Sequence, residues 1–274
     1  MHIGFICHSK EGTISPSDHL YCKALLAEGA TVETVSWRAT SPEALSSFDG
    51  CVVRSIAAND QEYVAFASWI SRARMSGVTF ANPSNVILWS QNRFAHGGLP
   101  NLGNDFLAGH ASKNLPGWHT ASLVSSHKAK KIQCAMHSVT CRAGSSQLLG
   151  QDVIDYSLDV PGCVISSASN ENHTVRAQSF FWVNETCTHS VIASGTGQLS
   201  WQRTSMPDNA KAIVTELLEW IGQPVLYMKI NGFGDGNHFL CTGLELCEPD
   251  LFLHHAIDAA EKFASSTLTY FNDT

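Results

Sequence analysis

The chain has 274 residues, enough for one large domain or for two to three closely packed lobes. Hydrophobic residues make up 44% and charged residues 15%, a balance that excludes long disordered tails. The formal net charge of −7, with no long run of Lys or Arg, excludes nucleic acid and anionic membranes as partners.

The first 75 residues alternate between strand-like and helix-like patterns. Strands are predicted at residues 3–7, 31–36 and 51–54, and helices at residues 17–28 and 60–75. Gly29 is expected to close the first helix as a C-cap. Because strands alternate with helices, this part is predicted to form a parallel sheet with right-handed crossovers.

The remaining elements indicate an antiparallel sheet with flanking helices. Residues 100–117 and 143–172 are rich in Gly, Asn, Pro or Ser and are predicted to be loops. Short strands are predicted at 131–138, 162–166, 177–183, 188–193, 225–231 and 239–246, and helices at 209–221 and 250–264. The fold class expected from these patterns is α/β (α+β).

The cysteine pattern and the amino terminus bear on the compartment. The nine cysteines are an odd number without a C-x-x-C pair, so we expect reduced thiols rather than a disulfide framework. The first apolar run is too short for a signal peptide, and no stretch approaches the roughly 20 apolar residues that span a bilayer. We therefore expect a cytoplasmic protein without a membrane partner.

Two conspicuous motifs are predicted to have structural roles and not to form binding sites. His254 and His255 are adjacent, and neighbouring residues on a helix point about 100° apart, so they cannot jointly grip one metal. No metal site is predicted there. The glycine-rich residues 232–236 lie between two strands and do not lead into a helix, which indicates a hairpin rather than a phosphate loop.

Several polar residues on or beside predicted strands are candidates for chemistry. Glu245 and Glu248 are paired carboxylates suited to acid–base work or metal binding, or else a cap and a surface charge. Three further residues are of types that a packed core rarely contains: Lys229, Arg142 and His189. They are either functional or solvent-facing. Composition and spacing alone leave these alternatives open.

Residues 244–253, LELCEPDLFL, closely resemble the "ElEliEPsLFl" segment that closes the cleft in a group of small ATP-grasp proteins. That group includes the cycloserine-forming O-ureidoserine cyclo-ligase. Further ordered matches lie at residues 51–55, 66–70, 82–89, 181–191 and 227–231. The resemblance implies an ATP-grasp fold with a Rossmann-like lobe at 1–80, a small lobe at 81–165 and a C-terminal antiparallel lobe at 166–274.

The departures from the family pattern affect the implied ATP and magnesium site. Arg93 stands near a family lysine, and Gln133 lies in a neutral segment where the family has another lysine. Asn231 replaces a metal-binding aspartate and Gly243 replaces a glutamate, while Glu245 is kept. A triphosphate requires cations and Mg²⁺ requires carboxylates. The resemblance therefore implies a degenerate site, with no cofactor expected.

The leading hypothesis is an enzyme of specialised metabolism that performs an ATP-independent acid–base reaction on a small amino-acid-derived substrate. Glu245 or Glu248 would be the base, and His189 a second acid–base group. The substrate-binding candidates are Lys229, Arg142, Arg54, Asn231 and Gln133.

Two other functions stay open. One is an ATP-dependent carboxylate–amine ligase with a rearranged metal site, in which ATP and Mg²⁺ would be used and Arg93 would contact the nucleotide. The other is a non-catalytic metabolite-binding homologue. Cys134 is either a core thiol or a nucleophile, and the family resemblance would permit a homodimer.

Overall fold

The computed structural model describes residues 1–8, 14–56, 60–95, 130–133, 139–143, 146–148, 153–156, 164–167, 174–184, 186–194, 200–207, 210–234 and 239–274. None of the helices in these segments is both long and apolar enough to cross a bilayer.

A three-stranded parallel sheet opens the chain. Its strands are β1 (His2–Cys7), β2 (Thr31–Ser36) and β3 (Gly50–Ser55), in the order β2-β1-β3. Helix α1 (Pro16–Ala27) connects β1 to β2, and α2 (Asp60–Met75) follows β3. The strands and helices predicted for this part are confirmed. Strand β1 is central in the sheet, and its apolar run is buried on both faces.

Gly29 ends helix α1 as expected. Its backbone has a positive φ of 83°, its N–H donates to the Leu26 carbonyl at 3.1 Å, and the Ala30 N–H donates to the Leu25 carbonyl at 3.1 Å. A residue with a side chain would be strained at this φ, so glycine terminates the helix and lets β2 begin.

The larger sheet is antiparallel and has eight strands within the described segments. Two further strands, β4 (Lys130–Gln133) and β7 (Val153–Tyr156), pair separately. The members of the large sheet are β5 (Val139–Ala143), β6 (Ser146–Leu148), β8 (Val164–Ser167), β9 (Thr174–Val183), β10 (Thr186–Ser194), β11 (Ser200–Thr204), β12 (Tyr227–Gly234) and β13 (Phe239–Glu245). Strand β9 pairs with β8, β10 and β12, and β12 pairs with β13, so β9 and β12 are central to the sheet.

Alternating residues of β9 and β12 serve the two faces of this sheet. Phe180 and Met228 pack on one face against helices α3 (Ser84–Ala95) and α4 (Ala210–Ile221). Phe181 and Val183 point to the other face, where α1 and α5 (Ile257–Asp273) cover part of the sheet. The period of two along each strand produces this division.

Two predictions of local structure are corrected, and two elements were not predicted. The last helix was expected at 250–264, but α5 is Ile257–Asp273 and follows a 3₁₀ turn at Leu253–His255. The left-handed backbone of Phe252 and the φ of −152° at Ala256 interrupt an earlier helix. The region 143–172, expected to be a loop apart from the strand predicted at 162–166, also contains β6 and β7, whereas β8 confirms the predicted strand. Helix α3 and strand β11 were not predicted.

Asn82 joins the amino-terminal part to the large sheet. Its Oδ1 accepts from the backbone N–H groups of Leu226 at 2.7 Å and Tyr227 at 3.3 Å. Its Nδ2 donates to the carbonyls of Tyr227 at 2.9 Å and Leu246 at 2.6 Å. The Tyr227 hydroxyl lies 3.0 Å from the Val53 carbonyl. These contacts fix the end of β13 against the parallel sheet.

Gly50 is the place where β3 meets the ring of Phe271 on α5. A Cβ built on Gly50 would lie 2.4 Å from Cδ1 of that ring. We therefore expect Gly50→Ala to reduce the free energy of unfolding by about 1–3 kcal/mol, as overpacking does. Urea denaturation measures this loss, and adding Phe271→Leu should recover part of it. A Gly50→Ala protein as stable as the parent would contradict the contact.

Candidate functional site

One row of side chains crosses four neighbouring strands of the large sheet. In the strand register, His189 of β10 lies opposite Phe181 of β9, Phe181 opposite Lys229 of β12, and Lys229 opposite Glu245 of β13. Directly paired residues project to the same face. The row therefore runs from the part of the sheet covered by α5 to its β13 edge.

A second row completes the polar part of this face. Ser179 lies opposite Asn231, and Asn231 lies opposite Gly243. We call Ser179, Lys229, Asn231 and Glu245 the ionic site. It combines the Lys229, Asn231 and Glu245 of the sequence prediction and adds Ser179, which no motif singled out, because its place depends on the pairing of β9 with β12.

The ionic site is held by short polar contacts. Lys229 Nζ lies 3.1 Å from Glu245 Oε1, and Asn231 Nδ2 donates to the same oxygen at 2.5 Å. Ser179 Oγ donates to Asn231 Oδ1 at 2.6 Å, which orients the amide so that its NH₂ group faces the carboxylate. The side chains of Lys229 and Glu245 are 11% and 24% exposed, so the carboxylate can be reached from solvent.

His189 is packed differently from its predicted acid–base role. Its ring stacks on Phe181 with centroids 4.2 Å apart, Nε2 donates to the Leu251 carbonyl at 2.9 Å, and Nδ1 lies 2.9 Å from Thr188 Oγ1. Burial lowers the pKa of His189 to about 4, which outweighs the opposing effect of the Leu251 carbonyl. Both nitrogens are occupied, so His189 is a neutral packed side chain in this arrangement.

The depressed pKa of His189 predicts a pH dependence of folding. The unfolded chain binds a proton near pH 6.5, whereas the folded chain resists protonation down to about pH 4. The contribution of His189 to stability is therefore complete above about pH 6.5 and is lost as the pH falls, by up to about 1.4 kcal/mol per pH unit. His189→Gln should remove this slope in denaturation curves measured between these pH values.

Exposed His19 supplies the control for this comparison. We expect the acid-induced loss assigned to His189 to remain in the His19→Gln protein. The assignment would be contradicted if His189→Gln and the parent lost stability in parallel on acidification.

Glu248 lies against the parallel sheet rather than beside Lys229. Its Oε2 accepts a short hydrogen bond from the backbone N–H of Ile56, just after β3. Glu245 instead faces Lys229 across the β12–β13 pair. Of the two carboxylates that the sequence offered as a base, Glu245 is therefore the one that the ionic site contains.

Arg54, predicted to bind substrate, is buried inside the fold. Its Nε donates to Asp18 Oδ1 at 2.6 Å and its Nη2 to the Pro249 carbonyl at 2.6 Å. Burial alone would lower the pKa of Arg54, but the Asp18 carboxylate more than compensates and raises it. With a side chain only 1% exposed, Arg54 joins β3, α1 and the Pro249 segment, and it is not available to a substrate in this arrangement.

The other predicted residues fall partly outside the described residues. Arg142 belongs to β5, Gln133 to β4 and Arg93 to α3, and only their backbone positions are described. Cys134 lies outside the described residues. The rings of His254 and His255 are 4.1 Å apart in the 3₁₀ turn. Within the described segments, no group of three His, Cys, Asp or Glu residues could hold a metal ion.

Comparisons with known proteins bear on the fold. Residues 3–82 match the family model described as the N-terminal domain of D-cycloserine synthetase DcsG. The crystal structure of D-cycloserine synthetase DcsG has a TM-score of 0.61 and 14% identity, covering 99% of this chain and 100% of that one. No curated protein matches at a significant level.

Two other solved structures are similar over nearly the whole chain. ATP-grasp ligase PsnB, complexed with precursor peptide PsnA2 and AMPPNP, has a TM-score of 0.52 and 11% identity, with 98% of each chain covered. The D-alanine–D-alanine ligase from Bacillus anthracis, complexed with ATP, has a TM-score of 0.51 and 9% identity, covering 100% of this chain and 99% of that one. The predicted ATP-grasp fold is thereby confirmed.

Proposed function

We propose that the chain is an enzyme of specialised metabolism that performs an ATP-independent acid–base reaction on a small amino-acid-derived substrate. A cyclisation, a condensation or a hydrolysis would suit the ionic site. Glu245 is the general base, and Lys229 holds an anionic group of the substrate. The similarity of residues 3–82 to the N-terminal domain of a cycloserine synthetase supports the class of metabolism.

The observation that carries the proposal is that Lys229 lies beside Glu245, the one carboxylate of the family pattern that this site keeps. Lys229 Nζ is 3.1 Å from Glu245, so a Mg²⁺ ion on this carboxylate would stand close to an ammonium group. The neighbouring family carboxylates are replaced by Asn231 and Gly243, which face each other across the strands. These residues do not fit Mg²⁺, which prefers several oxygen ligands.

The same contacts suit proton transfer. Asn231 holds the Glu245 carboxylate in a fixed orientation, and Ser179 fixes Asn231 in turn. When Glu245 takes a proton from a substrate N–H or O–H group, its attraction for Lys229 weakens. The Lys229 ammonium can then balance the negative charge that develops on the substrate.

A metabolite-consumption assay tests the proposal. The purified protein would be incubated with a cell metabolite extract from which ATP has been removed enzymatically, and consumed compounds would be followed by mass spectrometry. We expect the parent to consume at least one amino-acid-derived compound that Glu245→Gln leaves unchanged. Calorimetry with ATP, with and without Mg²⁺, should give no saturable binding.

The outcomes separate the three functions. Consumption only after Mg²⁺ and ATP are restored, with saturable calorimetric binding, would identify an ATP-dependent ligase and sink the proposal. A compound that is retained by the protein but never converted would identify a metabolite-binding homologue. Ser46→Ala, at an exposed hydroxyl in the amino-terminal part, serves as the matched variant that should consume the compound normally.

A further inference from the structure

Phe252 holds a backbone conformation that its side chain does not favour. Its φ is 49° and its ψ is 31°, in the left-handed region where residues with a Cβ are strained. The residue follows Leu251, whose carbonyl receives the hydrogen bond from His189. The left-handed turn directs the chain from this fixed point into the 3₁₀ turn that precedes α5.

The left-handed turn places the Phe252 ring beside both Trp201 and Lys229 of the ionic site. The ring centroid lies 5.1 Å from that of Trp201 and 6.1 Å from that of Phe181. Lys229 Nζ lies 5.4 Å from the same centroid, within reach of a cation–π contact. Phe252 and Trp201 are both only partly buried, so the aromatic surface continues to solvent.

Charge and aromatic surface therefore lie side by side. Lys229 and Glu245 offer one positive and one negative group, which complement the carboxylate and ammonium of a zwitterion. The His254 and His255 rings also stack with Phe252, with centroids 5.8 and 6.1 Å from its own. The partly exposed edges of Phe252 and Trp201 are therefore what a planar apolar group can pack against. If Phe252 served only to pack against the core, the apolar bulk of a leucine would be enough.

We infer that the ionic site takes an amino acid with an aromatic side chain, or a derivative of one, and that Phe252 is the specificity-determining residue. The inference rests on the proposed function, because it uses Lys229 and Glu245 to hold the amino-acid part. The aromatic side chain of the substrate packs against the exposed part of the Phe252 ring, beside Trp201.

Binding of two amino acids tests the inference. L-phenylalanine and L-alanine share the zwitterion and differ by the ring, so ligand-observed NMR titrations of both isolate its effect. We expect the parent to bind L-phenylalanine at least about tenfold more tightly than L-alanine, the order expected of a stacking contact. Phe252→Leu should reduce this preference below about threefold, and Phe252→Tyr should keep it.

Lys229→Met separates the inference from the proposed function. Equal binding of both amino acids to the parent, abolished by Lys229→Met, would overturn the aromatic specificity and leave the ionic site in place. Failure of both amino acids to bind would also overturn it, and the extract assay would then decide the proposed function by itself. A preference that survives in folded Phe252→Leu would remove Phe252 from the role.

Discussion

Replacing Asn82 by alanine is expected to lower the free energy of unfolding by about 3–5 kcal/mol. The amide makes contacts with two backbone N–H groups and two carbonyls, and the side chain is almost fully buried. Alanine would leave these backbone groups without the partners that replace water, and each buried unsatisfied group costs about 1–3 kcal/mol. Urea denaturation followed by circular dichroism gives the free energy directly.

Two variants sharpen this test. Asn82→Asp keeps the oxygens that accept from Leu226 and Tyr227 but sets an oxygen against the two carbonyls, so it should destabilise the fold as well. Asn272→Ala removes an exposed asparagine near the carboxyl terminus and should change stability by less than about 0.5 kcal/mol. The stabilising role of the Asn82 contacts would be refuted if Asn82→Ala lowered the free energy of unfolding no more than Asn272→Ala.

The buried ion pair of Arg54 and Asp18 should give an effect of similar size. Arg54→Met removes the cation and leaves the Asp18 carboxylate, whose side chain is 3% exposed, without its partner. Breaking a buried pair from one side typically costs about 3–5 kcal/mol, because the remaining charge is neither hydrated nor paired. Arg54→Met also loses the hydrogen bond to the Pro249 carbonyl.

A double-mutant cycle identifies the source of this loss. Arg54→Met combined with Asp18→Asn should be less destabilising than the sum of the two single variants, because no buried charge is left unpaired. The exposed pair between Arg203 and Asp258 provides the comparison, and Arg203→Met should cost less than about 1 kcal/mol. Strict additivity at Arg54 and Asp18 would refute direct coupling of the two charges.

Local signals predicted much of the parallel sheet and the hairpins. The apolar run of β1 and the glycine after α1 act over a few residues, so their structural meaning can be read from neighbours in sequence. The ATP-grasp motifs extended this to the whole fold. The start of α5 could not be read in the same way, because it depends on the left-handed backbone of Phe252, at a residue type that seldom adopts it.

The candidate site was predicted only where neighbouring strands form a hairpin. Lys229 and Glu245 belong to β12 and β13, so a hairpin could bring them together. The role of Arg54 depends on Asp18, and that of Asn82 on strands more than 140 residues later in the chain. Spacing gives no information about such contacts. The burial of His189 could not be predicted either, because a histidine on a strand is buried only when its ring nitrogens find protein partners.

The contacts of Asn82 also bear on what a sequence-defined domain is. The family match ends at residue 82, yet the side chain of this residue is bonded to the backbone of β12 and to Leu246. Gly50 packs against Phe271 and Tyr21 against Phe263, both on the last helix. The end of the family match therefore cuts through contacts that the folded chain makes, and a fragment ending at residue 82 would lack the surface that these contacts supply.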